Sequence, residues 1–335
     1  MIAVQRRQYV SAEGVRLSYL LADQTAGQGP LVVFCHGFPG LAYSWRHQLQ
    51  AVAAAGYQAV ALDMRGYGDS DAPAAVADYS LDHIRADLVA LLDERACAQA
   101  VFVGHDFGAP VVWHMALAEP ARVAGLVVLS VPYDFDYYGW RGQDGEGERP
   151  SDQFARVART HFLHAHYFQA PGVAERELDT HCAAFLRRLF WALSARGDLL
   201  SAFAQAPPTG GYLDALPAVP QTLPWSWLTR TDFAVYADAF SRRGFAGALN
   251  WYRVADINWE LNRRYRGKSI GQPVCFLAGE CDPVLTMSGD QALSYMRGRL
   301  GDLRDCQLIP GAGHWVQQEQ PAAVNARLLD FLDQL

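Results

Sequence analysis

The chain has 335 residues, 51% of them apolar and 19% charged, with a formal net charge of −7. That composition supplies a large core and suits either one big α/β domain with an insertion or two ordinary domains. Thinly spread Lys and Arg argue against a nucleic-acid surface, and no apolar run approaches the ~18 residues of a membrane span.

In chain order, a weakly alternating stretch at 15–21 predicts an early antiparallel strand, and the apolar run at 31–35 a strand buried on both faces. Residues 45–55 read as a helix stopped at Gly56. The strand at 58–62 runs into the polar loop Asp63-Met64-Arg65-Gly66-Tyr67-Gly68-Asp69-Ser70, expected to be structural, and Ser80 can cap a helix over 81–94. A strand near 101–103, a helix at 111–118 and a strand at 125–131 follow. Strand and helix alternate four times, which predicts a parallel sheet with right-handed crossovers and helices on both faces.

The alternation stops at Pro132. Residues 133–265 carry aromatic, helix-like pieces with no clear strand. Within them, 139–152 reads as an exposed, mobile loop, and 206–224, with its prolines and paired glycines, as a connector. Strand signals resume at 274–278 and 306–309, and an amphipathic helix covers 322–332. The expected organisation is an α/β core formed by 1–132 and 266–335, interrupted by a helical cap at 133–265. The six cysteines show no paired spacing and the first residues form no signal-like apolar segment, so a cytoplasmic protein is expected.

The strand near 101–103 ends in Gly104-His105-Asp106-Phe107-Gly108, a G-x-D-x-G placed just before a helix. This is the strand–turn–helix grammar of the nucleophile elbow of α/β-hydrolases, with Asp where Ser would sit. Functional groups of open α/β sheets gather at the carboxyl ends of strands. Two later strand ends carry Gly279-Glu280-Cys281-Asp282-Pro283 and Gly311-Ala312-Gly313-His314-Trp315. Asp106, Asp282 and His314 thus occur in the order nucleophile, acid, base; Glu280 is the rival acid, less deep in its loop. A carboxylate is already ionised at neutral pH, so Asp106 can attack an electrophilic saturated carbon directly and form an alkyl ester. His314 and Asp282 then activate water, and the backbone N–H groups of Phe38 and Phe107 are the expected oxyanion donors.

The segments His36-Gly37-Phe38-Pro39, 63–70, 104–108, 279–283 and 311–315 resemble those of the soluble epoxide hydrolases, and the likeness extends over essentially the whole chain. The resemblance implies an α/β-hydrolase fold, with a mostly parallel eight-stranded sheet and an inserted helical cap, acting on a small-molecule epoxide, and the aromatic-rich cap points to an apolar one. It implies no metal or organic cofactor. It also implies two cap tyrosines that donate to the epoxide oxygen: Tyr167 in Tyr167-Phe168-Gln169-Ala170-Pro171-Gly172, and Tyr252 in Asn250-Trp251-Tyr252-Arg253. Ring opening needs such donors, because the alkoxide it would otherwise expel is a poor leaving group. Phe38, Phe107, Trp191 and Trp251 are the expected pocket lining.

Phe107 stands where many relatives have Trp, and Gly40-Leu41 replaces a common Glu-Ser, so pocket shape is expected to differ. Haloalkane and fluoroacetate-type dehalogenases are the alternative reading, but the residues at Phe38 and Phe107 to Pro110 lack their halide and carboxylate donors. A non-catalytic small-molecule binder is the second alternative, and a serine esterase is disfavoured by Asp106 itself. His161, His164 and His166 read as a solvated helix face rather than a metal site. A monomer or homodimer is equally compatible with these features.

Overall fold

The computed structural model describes residues 2–133 and 147–335. Eight strands form one sheet in the order β1-β2-β4-β3-β5-β6-β7-β8. They are β1 (Val4–Val10), β2 (Arg16–Ala22), β3 (Leu31–Cys35), β4 (Gln58–Leu62), β5 (Ala100–His105), β6 (Val123–Leu129), β7 (Ile270–Gly279) and β8 (Leu300–Ile309). β1 and β2 run antiparallel at one edge, and every pairing from β4 to β8 is parallel. The α/β-hydrolase architecture expected from the chain is therefore present.

The strand β1 is absent from the sequence reading. Its residues are exposed apart from Tyr9, so no alternation marks it; it is an edge strand held by pairing to β2. By contrast, β3, β4 and β5 are buried along their whole length, which makes them legible as apolar runs.

The two sheet faces collect alternate residues of each strand. Val32, Phe34, Ala59, Ala61, Val103 and Leu277 pack under α1 (Arg46–Ala54) and the C-terminal helix, which runs Pro321–Leu332. Val33, Val60, Phe102, Val128 and Phe276 pack under α2 (Leu81–Glu94) and α3 (Gly108–Ala118). The second cluster continues without a break through Phe38 and Phe107 into Phe168, Phe185 and Phe245 of the segment between β6 and β7. That segment contributes α4 (Pro150–Val157), α5 (His164–Tyr167), α6 (Val173–Thr180), α7 (Cys182–Leu193), α8 (Leu199–Gln205), α9 (Tyr212–Ala215), α10 (Arg230–Arg243), α11 (Ala246–Arg253) and α12 (Ala255–Asn262). Of the loop expected at 139–152, residues 139–146 lie outside the described residues and Pro150 already begins α4. The connector expected at 206–224 is not featureless, since it contains α9.

Two local details differ from expectation. Ser80 precedes α2 in an extended conformation, but its side chain makes no capping bond; the Leu81 N–H donates instead to Asn258 Oδ1 at 2.8 Å. The 63–70 loop is anchored by Arg65, 1% exposed, whose Nε and Nη2 donate to the two oxygens of Asp87 at 2.9 and 2.7 Å. Arg65 also donates to Glu13 at 3.0 Å, and its carbonyl accepts the Trp251 indole N–H at 2.9 Å. A buried ion pair is costly to break from one side, because the abandoned charge stays desolvated. Arg65→Met is expected to cost about 3–5 kcal/mol in urea unfolding, and the double change Arg65→Met with Asp87→Leu clearly less. Equal losses in the two variants would show that the charge pairing is not what anchors the loop.

Candidate active site

Asp106 sits between β5 and α3 with φ +53°, a left-handed conformation that non-glycine residues rarely adopt. The sharpness of this turn depends on Gly108: a Cβ there would lie 2.0 Å from the Cys35 carbonyl oxygen. The turn presents the Asp106 carboxylate, 7% exposed, to the loop that follows β3. The Phe38 N–H donates to Asp106 Oδ1 at 2.7 Å, and the Phe107 N–H also hydrogen-bonds this carboxylate. Gly37 has to be bare for this approach, since a Cβ on it would come within 2.0 Å of Asp106 Oδ1.

His314, on the loop after β8, places Nε2 3.6 Å from Asp106 Oδ2 and Nδ1 3.1 and 3.2 Å from the two oxygens of Asp282. Asp282 caps the short helix Pro283–Met287, accepting the Val284 N–H at 2.9 Å, so its carboxylate is fixed before it meets the imidazole. Burial alone would push the Asp106 carboxyl up, but His314 and the Phe107 N–H hold it below the usual carboxylate range. Burial would lower His314, yet the charges of Asp282 and Asp106 outweigh it and raise the imidazole to about 10. The resting constellation is an imidazolium between two carboxylates.

The histidine loop is braced from both sides. From the core, His105 Nε2–H donates to the His314 carbonyl at 2.7 Å. From the helical segment, the Leu193 carbonyl accepts the His314 N–H at 2.8 Å, and the Phe190 carbonyl accepts the Trp315 indole at 2.9 Å. The Glu319 carboxyl joins the two sides, accepting N–H groups of Gly313, Trp315 and Ala195 at 3.1, 3.1 and 2.9 Å.

Above the carboxylate the structure brings together some of the expected residues and not others. The Tyr252 ring packs edge-on to Phe107 at 4.7 Å and to Phe38 at 5.4 Å, over the two residues whose N–H groups hold Asp106. Trp251 lies beneath Phe107, 5.7 Å between ring centroids. Tyr167 is not part of this group. Its hydroxyl donates to Glu177 Oε2 at 2.9 Å, and the charges acting on it are those of Glu177, Arg176 and Asp214. Trp191 stacks edge-on to Trp225 at 5.2 Å and lines an outer cavity with Ser194, Trp227 and Gln320 that contains neither Asp106 nor His314.

The group that takes the place expected of Tyr167 is His164, one turn earlier. Its ring meets Tyr252 edge-on at 5.6 Å and Phe168 at 5.9 Å, and it lies within the electrostatic reach of Asp106. The expectation of a solvated histidine face is thereby corrected: His166 is exposed, but His164 turns inward. Burial lowers its imidazole to about 4, so it is neutral at pH 7. Its Nδ1 is sealed off without a hydrogen bond, which leaves Nε2 as the ring nitrogen open to a partner. Tyr212, at the start of α9, is a further polar residue within reach of the Asp106 charge. The Tyr-Phe-Gln-x-Pro-Gly match marks the right segment for His164, whereas nothing in the Pro- and Gly-rich stretch marks Tyr212.

Among the described residues no group of three or more His, Cys, Asp or Glu could hold a metal ion, and no helix is long and apolar enough to cross a membrane. A family model of the α/β hydrolase fold matches residues 30–185. The chain is 42% identical over 325 residues to epoxide hydrolase A of Mycobacterium tuberculosis, covering 96% of each. It is 38% identical to epoxide hydrolase 3 of Siraitia grosvenorii, over 92% of this chain and 93% of that one. The crystal structure of epoxide hydrolase A from Mycobacterium thermoresistibile superposes with a TM-score of 0.86 at 43% identity, covering 99% of this chain and 98% of that one.

The buried His36 and His105 and the half-buried His164 give stability a pH dependence whose sign can be worked out. His36, His105 and His164 each fall from 6.5 to about 4 on burial, so between those values the unfolded chain binds protons that the folded chain refuses. Stability from these three is full above pH 6.5 and is lost as pH falls towards 4. His314 acts oppositely: its contribution is full below pH 6.5 and is lost as pH rises through about 10. Thermal unfolding of His164→Phe should therefore show a smaller drop in Tm between pH 6.5 and 4 than the parent chain. Parallel acid limbs would refute the neutral assignment of the half-buried His164.

Proposed function

Since the chain belongs to the epoxide hydrolases of the α/β-hydrolase fold, we propose that it opens an epoxide to a vicinal diol through an alkyl ester on Asp106. The observation that carries this reading is a buried, ionised Asp106 held by the Phe38 and Phe107 N–H groups and faced by a His314–Asp282 pair. Nothing in such an arrangement is needed for binding alone, and the attacking atom at the elbow is a carboxylate oxygen, suited to saturated carbon.

In the first step Oδ2, the oxygen not bonded to the Phe38 N–H, attacks a ring carbon of the epoxide. The carbon–oxygen bond of the ring breaks as the ester bond forms. The departing oxygen is held by Tyr252 and by the Nε2–H of His164, the pair that replaces the Tyr252 and Tyr167 expected from the sequence. A neutral imidazole N–H donates a hydrogen bond much as a phenol does, and a donor positioned at a developing alkoxide accelerates its formation.

Esterification removes the negative charge of Asp106, one of the two that keep His314 protonated. The His314 imidazolium then gives up its proton, which passes through solvent to the alkoxide left by ring opening and makes it a hydroxyl, and the neutral imidazole becomes a base when a base is required. It takes a proton from water, the resulting hydroxide equivalent attacks the Asp106 carbonyl carbon, and the Phe38 and Phe107 N–H groups stabilise the oxyanion. Collapse breaks the bond between the Asp106 carbonyl carbon and the substrate oxygen, the expelled alkoxide takes up the proton of the new Asp106 carboxyl by way of His314, and the diol, the carboxylate and the imidazolium are restored. The reading requires no metal or organic cofactor for any of these steps.

Covalent chemistry makes the reading directly testable. His314→Gln should accumulate an alkyl-enzyme, seen as a mass increase of one substrate, and Asp106→Asn should form none. In ¹⁸O-water, a single turnover should leave label in the Asp106 carboxylate; label found only in the diol would exclude the ester.

The donor assignment makes a second, separable prediction. Tyr252→Phe and His164→Phe should each slow ester formation by about 10²–10⁴-fold, and Tyr167→Phe should stay within a few-fold of the parent. A crippled Tyr167→Phe beside an active His164→Phe would reverse the assignment. In a pre-formed alkyl-enzyme, ester hydrolysis should slow as pH falls, with an apparent pKa below the value of about 10 of the free enzyme.

A further inference from the structure

The site holds one more polar group than ring opening requires. Tyr212 is 3% exposed, and its ring lies face-on to His164, 5.9 Å between centroids at 21°. Phe168 and Phe185 flank it at 5.4 and 5.1 Å. The His164 ring is close to parallel with that of Tyr212 and close to perpendicular to that of Tyr252, 5.6 Å away. Tyr212 therefore packs on the His164 ring, with Phe162 and Phe203 also beside it at 5.4 and 5.8 Å.

Among the described residues the Tyr212 hydroxyl makes no hydrogen bond, and unlike the hydroxyl of Tyr67 it is not sealed away from solvent. Burial and the Asp106 charge both push its phenol well above the ordinary value, so the hydroxyl stays protonated and available as a donor. An uncommitted hydroxyl in an aromatic wall is costly unless something else meets it.

Its placement is built, not incidental. Glu177 accepts the backbone N–H of Tyr212 at 2.9 Å and of Leu213 at 3.1 Å, which anchors the first turn of α9. The same carboxylate accepts the Tyr167 hydroxyl at 2.9 Å. Gly211 leaves room for this contact, as a Cβ there would lie 2.4 Å from Glu177 Oε1. Tyr167 thus acts at a distance from the reaction, holding the carboxylate that holds Tyr212.

We propose that Tyr212 is a specificity-determining donor that hydrogen-bonds an oxygen carried by the substrate beside its epoxide ring. The site then prefers epoxides with an adjacent ether, hydroxyl or carbonyl oxygen over purely hydrocarbon ones. This rests on the epoxide hydrolase reading above and adds the substrate class. The physical ground is asymmetric: an acceptor replaces the water on the hydroxyl at little loss, whereas a methylene displaces that water and leaves the hydroxyl unmatched.

A matched pair of substrates isolates the effect. Phenyl glycidyl ether and 4-phenyl-1,2-epoxybutane differ only in the oxygen or methylene next to the epoxide-bearing carbon chain. The parent chain should favour the ether by about tenfold in kcat/KM, the size expected of one hydrogen bond, and mainly through KM. Tyr212→Phe should lose that preference chiefly by turning over the hydrocarbon epoxide several-fold to tenfold better than the parent, with an unchanged Tm. Equal activity of the parent on both substrates overturns the proposal, as does a Tyr212→Phe variant that slows both alike, since Tyr212 would then act only by supporting His164. If the parent turns over neither epoxide, the failure lies with the epoxide hydrolase reading itself, and that outcome is distinct from the other two.

Discussion

The constraint on which this molecule turns is the burial of a negative charge at Asp106. An ionised carboxylate at 7% exposure is sustained only where the solvent it loses is replaced by fixed donors and an opposite charge. Each replacement comes from a different part of the chain. The loop after β3 brings the Phe38 N–H, the start of α3 brings the Phe107 N–H, and the loop after β8 brings His314. The parallel order β3-β5-β6-β7-β8 is what makes their strand ends adjacent. The left-handed backbone at Asp106 is a local cost that this convergence offsets.

Much of that convergence is legible in the chain because it rests on local chemistry. Buried strands betray themselves as unbroken apolar runs, and Gly37 and Gly108 are required by contacts too close for any Cβ. The pairing of His314 with Asp282 in preference to Glu280 follows from depth in a loop, a local property too. The strand β1 had no such mark, because its order comes from the ladder to β2 and from Tyr9, whose hydroxyl reaches the Asp87 carbonyl at 2.9 Å. An exposed edge strand carries its information in its partner.

The polar wall over Asp106 was legible only in part, for a different reason. A sequence segment can place a short helix in the site, but residues three apart on one turn compete for the inward direction. In α5 the competition between His164 and Tyr167 is decided by Glu177, which lies on α6 and captures the Tyr167 hydroxyl. With that hydroxyl committed, His164 is the side chain left to turn towards Tyr252. Tyr212 depends on the same carboxylate. One acidic side chain on a neighbouring helix thus fixes both Tyr167 and Tyr212, and no spacing rule within α5 could have revealed it.

The attachment of the histidine loop to the end of α7 has a mechanical consequence. The His314 N–H is tied to the Leu193 carbonyl, the Trp315 indole to that of Phe190, and Glu319 bridges Ala195 to Gly313 and Trp315. This seam makes the position of His314 against Asp282 depend on the end of α7 as much as on the sheet, so a substitution that shifts this end of α7 would also shift the imidazole.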